Sequence, residues 1–245
     1  MSVSRGKPDW KRVIVKLSGE ALTGGDGGFG LHAPTVARIA RDIASAASLG
    51  VEIGVVVGGG NFFRGLQGEA ETGIARARAD SIGMLATVMN ALALEAALET
   101  EKAPARALSA IAMPALCQPY SRQAALHHLG KGRIVVLAGG TGNPFFTTDT
   151  GAALRAAELS ANAIMKATNV DGVYTADPKR DPKATRYNEL TQDEAINKNL
   201  AIMDTAAFAL ARENRIPIIV FSIREEGAIR AALEGKGRAT YVWPS

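Results

Sequence analysis

Hydrophobic residues occur along the chain in two alternating patterns. Short, largely β-branched runs that end near glycine or a small polar residue are typical of buried strands. Between them, apolar residues at helical spacing, as at Val36, Ile39 and Ile43, predict helices. The predicted strands are 11–17, 51–57, 105–109, 133–138, 163–168, 216–222 and 239–242, and the predicted helices are 35–49, 79–99, 122–129, 152–160, 204–214 and 227–233.

This alternation of strands and helices predicts an α/β fold with a parallel sheet. Successive parallel strands need right-handed crossovers, which cover both faces of the sheet with helices. The helix at 79–99 carries apolar residues on nearly every face, so we expect it to be mostly buried. Ligands of such sheets bind beyond the carboxyl ends of the strands, so the residues that follow each strand are the candidates for function.

The composition agrees with this fold and excludes several classes of protein. Of the 245 residues, 47% are hydrophobic and only 5% are aromatic, which suits helices packed on a parallel sheet. The single cysteine, Cys117, cannot form an intramolecular disulfide and is interpreted as a small buried hydrophobic residue. The apolar segment 84–98 is broken by Asn90 and Glu95 and is too short to span a bilayer. With no secretory signal at the N-terminus, we expect a cytoplasmic protein without a membrane partner.

The charge is mildly positive, at +4 from 28 basic and 24 acidic residues. Basic residues crowd into the arm 5–12, but no nucleic-acid-binding motif accompanies them, so we interpret the arm as solvated and expect no nucleic acid partner. A mild positive balance suits an enzyme that handles anionic phosphates. The three histidines show no metal-ligand spacing, so no metal site built from protein ligands is predicted.

Three loops that follow predicted strands carry groups suited to phosphates. Lys16 ends the first strand just before a tight turn, where it can meet a phosphate, although a lysine snorkelling from a strand end is an equally good interpretation. Three glycines at 58–60 let an anion approach the backbone, and Arg64 adds a fork of donors. The segment 139–149 adds glycines, hydroxyls, two rings and a carboxylate. Three such loops on one sheet edge predict a site for phosphorylated ligands.

A lysine inside an apolar strand gives a second signal. Lys166 lies within the predicted strand 163–168, where its charge needs a partner. Phosphates, or Asp149 from the preceding loop, would supply that partner. The segment 171–178 combines turn formers with an aromatic face that could hold a purine, although an ordinary surface turn explains it equally well. Phosphoryl transfer needs only cations and donors that hold the reactants in line, and these loops supply them.

Other nucleotide-binding motifs are weak or missing. Residues 25–30 match G-x-G-x-x-G in form, but seven residues separate them from the first strand, and glycine replaces the acidic residue expected after the next strand. The Walker A pattern is absent from the sequence. A dehydrogenase is therefore disfavoured, and a P-loop enzyme is excluded at the level of motifs.

Six long motifs together resemble one family. They are KLSGEAL at 16–22, GVVVGGGNFFRG at 54–65, GMLATVMN at 83–90, TGNPFFTTD at 141–149, KATNVDGVYTADP at 166–178 and MDTAAFALAR at 203–212. They look like the bacterial uridylate kinases of the amino acid kinase family. The resemblance implies a three-layer α/β/α sandwich with a mainly parallel sheet, and phosphoryl transfer from ATP to UMP that yields UDP and ADP in pyrimidine nucleotide biosynthesis. It also implies a single domain over 1–245, whose parts at about 11–160 and 161–245 bind acceptor and ATP.

The resemblance assigns roles to residues of this sequence. Lys16 and Lys166 would stabilise charge on the transferring group, and Asp149 would orient them. The residues implied in ATP binding are Lys16, Leu17, Ser18, Gly19, Gly60, Arg64, Thr168, Asn169, Tyr174 and Asp177. Those implied in UMP binding are Gly59, Asp80, Thr141, Gly142, Asn143, Pro144, Phe145, Phe146, Thr147 and Thr148. The stretch implied in allosteric control is Gly25, Asp26, Gly27, Gly28, Phe29 and Gly30.

The same resemblance implies Mg²⁺ as the ATP complex, activation by GTP, inhibition by UTP and assembly as a homohexamer. Two other functions remain open. One is a different member of the amino acid kinase family that phosphorylates a carboxylate or carbamate, because those enzymes share the lysine and the glycine loops. The other is a nucleotide sensor without turnover, which the presence of both Lys16 and Lys166 disfavours because a sensor has no need to stabilise a transition state.

Overall fold

A computed structural model of the chain describes residues 10–25, 28–63, 73–178 and 180–245 and shows one sheet between two layers of helices. The strands are β1 (Arg12–Leu17), β2 (Glu52–Val57), β3 (Ala105–Ser109), β4 (Gln118–Pro119), β5 (Ile134–Ala138), β6 (Ala163–Thr168), β7 (Glu189–Thr191), β8 (Ile218–Ser222) and β9 (Ala239–Trp243). The helices are α1 (Ala33–Ala47), α2 (Arg76–Thr100), α3 (Arg122–Leu129), α4 (Thr148–Glu158), α5 (Gln192–Asn197), α6 (Thr205–Glu213) and α7 (Ala228–Leu233), and a 3₁₀ turn covers Gly19–Leu22.

The sheet is parallel except at one pair of strands. Within the described residues its order is β4-β3-β5-β2-β1-β6-β8-β9-β7. Among the named strands of the described residues, only β8 and β9 pair antiparallel. The first strand therefore lies in the middle, between β2 and β6, and the loops after these three strands meet at one edge. The predicted α/β fold with a mainly parallel sheet is confirmed.

Each face of the sheet packs against its own helices. On β1, Val13, Val15 and Leu17 join the core that includes α1, α2 and α7. Ile14 points to the opposite face and joins the core that includes α3, α4 and α6. Because side chains alternate along a strand, Lys16 shares the face of Ile14. This alternation directs the lysine toward the layer that contains α4.

The predicted strands and helices are all present in the described chain, with ends shifted by a few residues. Three short elements, β4, β7 and α5, were not predicted, because runs of two to six residues carry too little periodicity to stand out. The segment Glu189–Thr191 becomes a strand through its pairing with β9, and Thr191 then starts α5 with a capping box. These elements depend on tertiary contacts rather than on local pattern.

The expectation that the long apolar helix is mostly buried was wrong. In α2, Val88, Leu94 and Leu98 pack into the core, whereas Leu85 and Met89 are 45% and 50% exposed. Only one face of the helix meets the sheet and α1, so the apolar residues on its other faces remain uncovered. By length and composition alone α2 could cross a membrane. Core helices of soluble proteins can have the same length and composition.

A buried histidine links α3 to the edge of the sheet. The guanidinium of Arg133 donates to Nδ1 of His128 at 3.0 Å, and Nε2 of His128 lies 2.8 Å from the amide oxygen of Gln118. Since a guanidinium can only donate, the imidazole is neutral and carries its hydrogen on Nε2. Burial, followed by the positive charges around the ring, lowers the pKa of His128.

We predict that His128 makes the fold less stable in mild acid. The unfolded chain binds a proton near the ordinary histidine pKa of about 6.5, whereas the folded chain resists it, so the free energy of unfolding falls as the pH drops below that value. Urea unfolding at pH 7.5 and 5.5 should show a smaller loss for His128→Gln than for the wild-type protein. The exposed neighbour His127 provides the control, and an equal effect of His127→Gln would contradict the prediction.

Candidate active site

Two lysines and one aspartate form an ion cluster at the centre of the sheet edge. Lys16 and Lys166 are register partners on the neighbouring strands β1 and β6, so their side chains leave the same face. The ammonium of Lys16 lies 2.7 Å from Oδ1 of Asp149, and that of Lys166 lies 2.7 Å from Oδ2. Lys166 also donates to the carbonyl of Ile202 at 2.6 Å. Asp149 is therefore the partner that the charge of Lys166 needs.

The cluster is largely buried, and this determines its ionisation. Burial raises the pKa of the Asp149 carboxyl, but the ammonium groups of Lys16 and Lys166 outweigh burial and hold the pKa below its ordinary value of 3.8. The carboxylate is therefore ionised throughout the neutral range. Its pairing stabilises the folded state at neutral pH, and this contribution is lost only as the pH falls through the depressed pKa.

Helix α4 begins four residues before the predicted start and thereby places Asp149 in its first turn. The hydroxyl oxygen of Thr147 accepts from the backbone N–H groups of Asp149 and Thr150, which caps the helix. The apolar spacing that marked the helix in the sequence starts only at Ala152, so the first turn was not visible in the pattern. A carboxylate at this position also gains from the partial positive charge of the helix N-terminus.

A second aspartate joins α4 to α6. Asp204 caps α6 through the N–H of Ala207 at 3.0 Å. It also accepts from the hydroxyl of Thr150 at 2.9 Å and from the hydroxyl of Thr147. One carboxylate thus holds the first turns of two helices together, and the helical turn that carries Asp149 is fixed to α6.

The turns after β1 and β2 approach each other closely. A Cβ atom on Gly19 would lie 2.4 Å from the amide oxygen of Asn61 and 2.7 Å from the nitrogen of Gly60. A Cβ on Gly59 would lie 2.5 Å from the carbonyl of Gly83 on α2. Both glycines are therefore required sterically, because any side chain would separate the turns. This packing brings their backbone amides to the sheet edge beside Lys16.

A first cavity, of about 470 Å³, lies between the turn after β2, helix α2 and the loop after β5. Its size suits a small-molecule ligand. On α2, the carboxylate of Asp80 accepts from Nε of Arg76 on both oxygens and from the N–H of Phe145 at 2.9 Å. The cavity is lined by Gly59, Gly60, Phe63, Arg76, Asp80, Gly83, Met84, Thr87, Gly139, Gly140, Thr141, Asn143, Phe146, Thr147 and Thr148.

A second cavity, of about 580 Å³, lies on the other side of the ion cluster, over β6 and β8. The hydroxyl of Tyr174 donates to Asp171 at 2.6 Å, which fixes the ring at this cavity. It is lined by Lys166, Thr168, Val170, Gly172, Val173, Tyr174, Thr175, Ala176, Asp177, Pro178, Lys198, Asn199, Leu200, Ala201, Ile202 and Val220. Asp149 follows Thr148 of the first cavity in sequence and contacts Lys166 of the second, so the ion cluster lies between the two.

Several residues that the sequence analysis assigned to ATP or UMP binding do not line the first or the second cavity. The side chain of Leu17 is in the core, and its carbonyl accepts from Gly58. Asn169 lines a separate polar cavity together with Gly25 rather than the cavity of Thr168. Ser18 starts the 3₁₀ turn, where its carbonyl accepts from Ala21. Gly142, Pro144 and Phe145 lie in the loop of the first cavity without lining it. Arg64, Asp26 and Gly27 lie outside the described residues.

The glycine-rich stretch packs beside the turn after β2. The N–H of Gly30 donates to the carbonyl of Asn61 at 2.9 Å. The ring of Phe29 stands edge-on to that of Phe62 with centroids 5.7 Å apart, and it is largely exposed. A Cβ on Gly28 would lie 2.9 Å from that of Thr23. The described residues of this stretch therefore contact the turn after β2, whose Gly59 and Gly60 line the first cavity.

Sequence reasoning missed three parts of the site. Arg76 precedes Asp80 by four residues, and this i,i+4 spacing was the signal that could have identified it. Asp204 is the first residue of the predicted helix 204–214, and an aspartate at a helix start is a typical N-cap. The segment 198–202 has no local motif, and only the tertiary fold brings it to the second cavity.

This arrangement can transfer a charged group between two ligands. Two ammonium groups at the junction of two cavities can neutralise charge that moves from a donor in one cavity to an acceptor in the other. No three His, Cys, Asp or Glu side chains cluster as a metal site within the described ranges.

Comparison with known proteins identifies the family. The profile of the Amino acid kinase family matches residues 11–222. The chain is 63% identical to the uridylate kinase of Azorhizobium caulinodans, over 96% of this chain and 98% of that one, and 60% identical to that of Agrobacterium fabrum, over 96% and 97%. The crystal structure of UMP kinase from Bacillus anthracis superposes with a TM-score of 0.90 at 40% identity, covering 96% of both chains. The UMP kinase from Ureaplasma parvum also gives 0.90, at 36% identity, covering 96% of this chain and 99% of that one. The chain therefore belongs to the amino acid kinase family.

Proposed function

We propose that this protein transfers the terminal phosphoryl group of ATP to UMP, which gives UDP and ADP. The observation that carries the proposal is the ion cluster of Lys16, Asp149 and Lys166 between two cavities of nucleotide size. Relatives that are 56–63% identical over nearly the whole chain are uridylate kinases, which favours UMP over a carboxylate or carbamate as the acceptor.

In this proposal UMP occupies the first cavity and ATP the second. The lining of the first cavity falls between residues 59 and 148, and that of the second between 166 and 220. This division agrees with an acceptor part at about 11–160 and an ATP part at about 161–245. Asp80, Arg76 and the loop 141–148 would hold the nucleoside monophosphate, while Thr168, Tyr174 and Asp177 would hold the adenosine end.

The chemistry needs no general base. A phosphate monoester has its second pKa near 6, so the attacking oxygen of UMP is already anionic at neutral pH. Lys16 and Lys166 would balance the charge on the transferring group, and Asp149 would hold both ammonium groups in place. The turn amides of Gly19 and Gly60 would orient the phosphates. Because the phosphate of UMP is already ionised, the reaction needs no histidine to remove a proton from it.

Magnesium enters this proposal as part of the substrate, MgATP. Mg²⁺ keeps several waters and is commonly held by one or two carboxylates plus substrate phosphates, rather than by a cage of protein ligands. The ion would supply charge neutralisation on the phosphates.

Regulation, assembly and location are parts of the same proposal. We infer that GTP activates the protein and UTP inhibits it, and that the stretch 25–30 takes part in this regulation. The reason is that Phe29 and Gly30 contact the turn after β2, which also borders the first cavity. A homohexamer would cover apolar side chains such as Leu85 and Met89, which α2 leaves exposed. A role in pyrimidine nucleotide biosynthesis, in the cytoplasm, follows from the proposed reaction.

The proposed function is tested by measuring ADP release from MgATP with a panel of acceptors. The panel contains UMP, CMP, dUMP, AMP, aspartate, acetylglutamate and carbamate. We expect strong turnover with UMP. Turnover with an acid instead would overturn the acceptor, and ATP binding without any turnover would favour a nucleotide sensor.

Removal of one ammonium group should impair the chemical step. We predict that Lys166→Met lowers kcat by about 10³-fold, judging from the removal of transition-state cations in other phosphoryl-transfer enzymes, while the KM for UMP changes little. Steady-state kinetics with both substrates measure this. Lys131→Met, at an exposed lysine, is the control. A Lys166→Met enzyme with nearly normal kcat would disprove the role of this lysine.

Loss of the charge of Asp80 should act on the acceptor instead. Oδ2 of Asp80 accepts from both Nε of Arg76 and the N–H of Phe145, and Oδ1 makes a second contact with Nε of Arg76. An asparagine removes the negative charge that strengthens these hydrogen bonds and puts an NH₂ group, which can only donate, in place of one oxygen. We predict a KM for UMP that is raised about 10- to 100-fold, which corresponds to one charge-assisted hydrogen bond, with the KM for ATP unchanged. The isosteric control is Asp193→Asn, at an exposed ion pair with Arg212. A larger rise in the KM for ATP than for UMP would contradict the assignment.

A further inference from the structure

A buried arginine lies directly behind the first cavity. Arg155, on α4, is only 5% exposed. Its Nη1 lies 2.5 Å from Oε2 of Glu158, and its Nη2 donates to the carbonyl of Gly140 at 3.2 Å. Its guanidinium carbon lies 3.8 Å from the centre of the Tyr120 ring. Arg155 thus contacts three parts of the fold: Tyr120 beside the edge strand β4, Glu158 on its own helix, and Gly140 in the loop after β5. This loop lines the first cavity and is called the cavity loop below.

Stability alone gives little reason for an arginine at this position. Neighbouring positions on the same helix, Ala152, Ala153 and Ala156, are fully buried in the apolar core. A buried ion pair often contributes no more than well-packed apolar residues of similar volume. The guanidinium does, however, reach a backbone carbonyl of the loop that an apolar side chain would leave without a donor.

That carbonyl belongs to a tight bend at the start of the loop after β5. Gly139 and Gly140 have φ angles of +76° and +55°, which only glycine adopts readily. Gly151 on α4 packs closely against this bend, since a Cβ there would lie 3.2 Å from the backbone of Gly140. On the other side, the N–H of Gly139 donates to the hydroxyl of Thr87 at 2.7 Å. The two ends of this short backbone segment are therefore held from α2 and α4.

The contact with Arg155 also determines the direction of the next N–H group. In a trans peptide the carbonyl and the following N–H point in opposite directions. Since the carbonyl of Gly140 accepts from Arg155, the N–H of Thr141 points away from the arginine. Both Gly140 and Thr141 line the first cavity. A flip of this peptide would replace a hydrogen-bond donor at the cavity wall with an acceptor.

We propose that Arg155 is a positioning residue for the acceptor nucleotide, because it fixes the orientation of the Gly140–Thr141 peptide at the wall of the first cavity. The inference rests on the proposed function, which assigns this cavity to UMP. Glu158 and Tyr120 hold the guanidinium in place, and the Tyr120 hydroxyl donates to the same carboxylate oxygen of Glu158 at 2.5 Å. Arg155 itself acts through the loop and has no role in the second cavity.

The test separates positioning from stability by comparing two substitutions. Arg155→Met removes both the charge and the donor to Gly140, whereas Arg155→Lys retains an ammonium for Glu158 but cannot bridge to the loop with a second nitrogen. We expect both variants to raise the KM for UMP about tenfold, the effect of one lost hydrogen bond to a charged donor. Neither should change the KM for MgATP, and kcat should remain within about threefold. The melting temperature should fall for Arg155→Met and recover largely for Arg155→Lys.

Arg12 offers a matched control at the opposite end of β1. It also pairs with a glutamate, Glu52, and donates to a backbone carbonyl, that of Leu159, but it is remote from both cavities. We expect Arg12→Met to lower the melting temperature without a change in the KM for UMP. If Arg155→Met does not fold, Arg155→Lys decides the question by the same kinetics.

The outcomes distinguish the inference from the function on which it rests. A wild-type protein without turnover of UMP would overturn the proposed function and the assignment of the cavity. Normal wild-type turnover, with an unchanged KM for UMP in the folded Arg155 variants, would overturn the inference alone. A rise of similar size in the KM values for UMP and MgATP would also overturn it, because it would indicate a general loss of structure.

Discussion

The arrangement of the whole site depends on the burial of two like charges side by side. Lys16 and Lys166 are register partners on adjacent strands near the middle of the sheet, where the strands are about 4.8 Å apart. Two ammonium groups on such neighbouring strand positions repel each other and are costly to bury unless a counter-ion lies between them. The carboxylate of Asp149 meets both, so the position of Asp149 becomes a condition for the fold as well as for the chemistry.

The need to place Asp149 beside both lysines explains why the first turn of α4 is held by several hydrogen bonds. Asp149 must approach the sheet from the neighbouring layer, so the helix begins early, with Thr147 as its cap. Asp204 then ties this first turn to α6. The same helix carries Arg155 two turns later, where it reaches the loop of the first cavity. One helix thus connects the charge between the cavities to the wall of one of them.

The sequence predicted the sheet and its site loops because those features are local. Apolar runs that end in glycine mark buried parallel strands, and a lysine inside such a run, like Lys166, needs an explanation that a counter-ion supplies. Contacts between distant segments could not be predicted in this way. Nothing local distinguishes Arg155 from an exposed helical arginine, and only the packing of Tyr120 and Gly140 around it shows that it is buried. Asn169 follows Thr168 in the motif, yet it faces another cavity because successive residues at a strand end turn to opposite sides.

The length of α2 and its exposed apolar residues both follow from the path of this helix along the sheet. The helix must extend from Asp80 at the first cavity to Leu98 at the far end of the sheet, and only one of its faces meets the core along that path. Its apolar residues consequently lie on nearly every face, and this pattern led to the prediction of a mostly buried helix. An apolar face that a single chain does not cover is costly in water. The same helix that supplies Asp80 to the cavity also presents this uncovered surface, so that in the proposed function acceptor binding and assembly would both depend on α2.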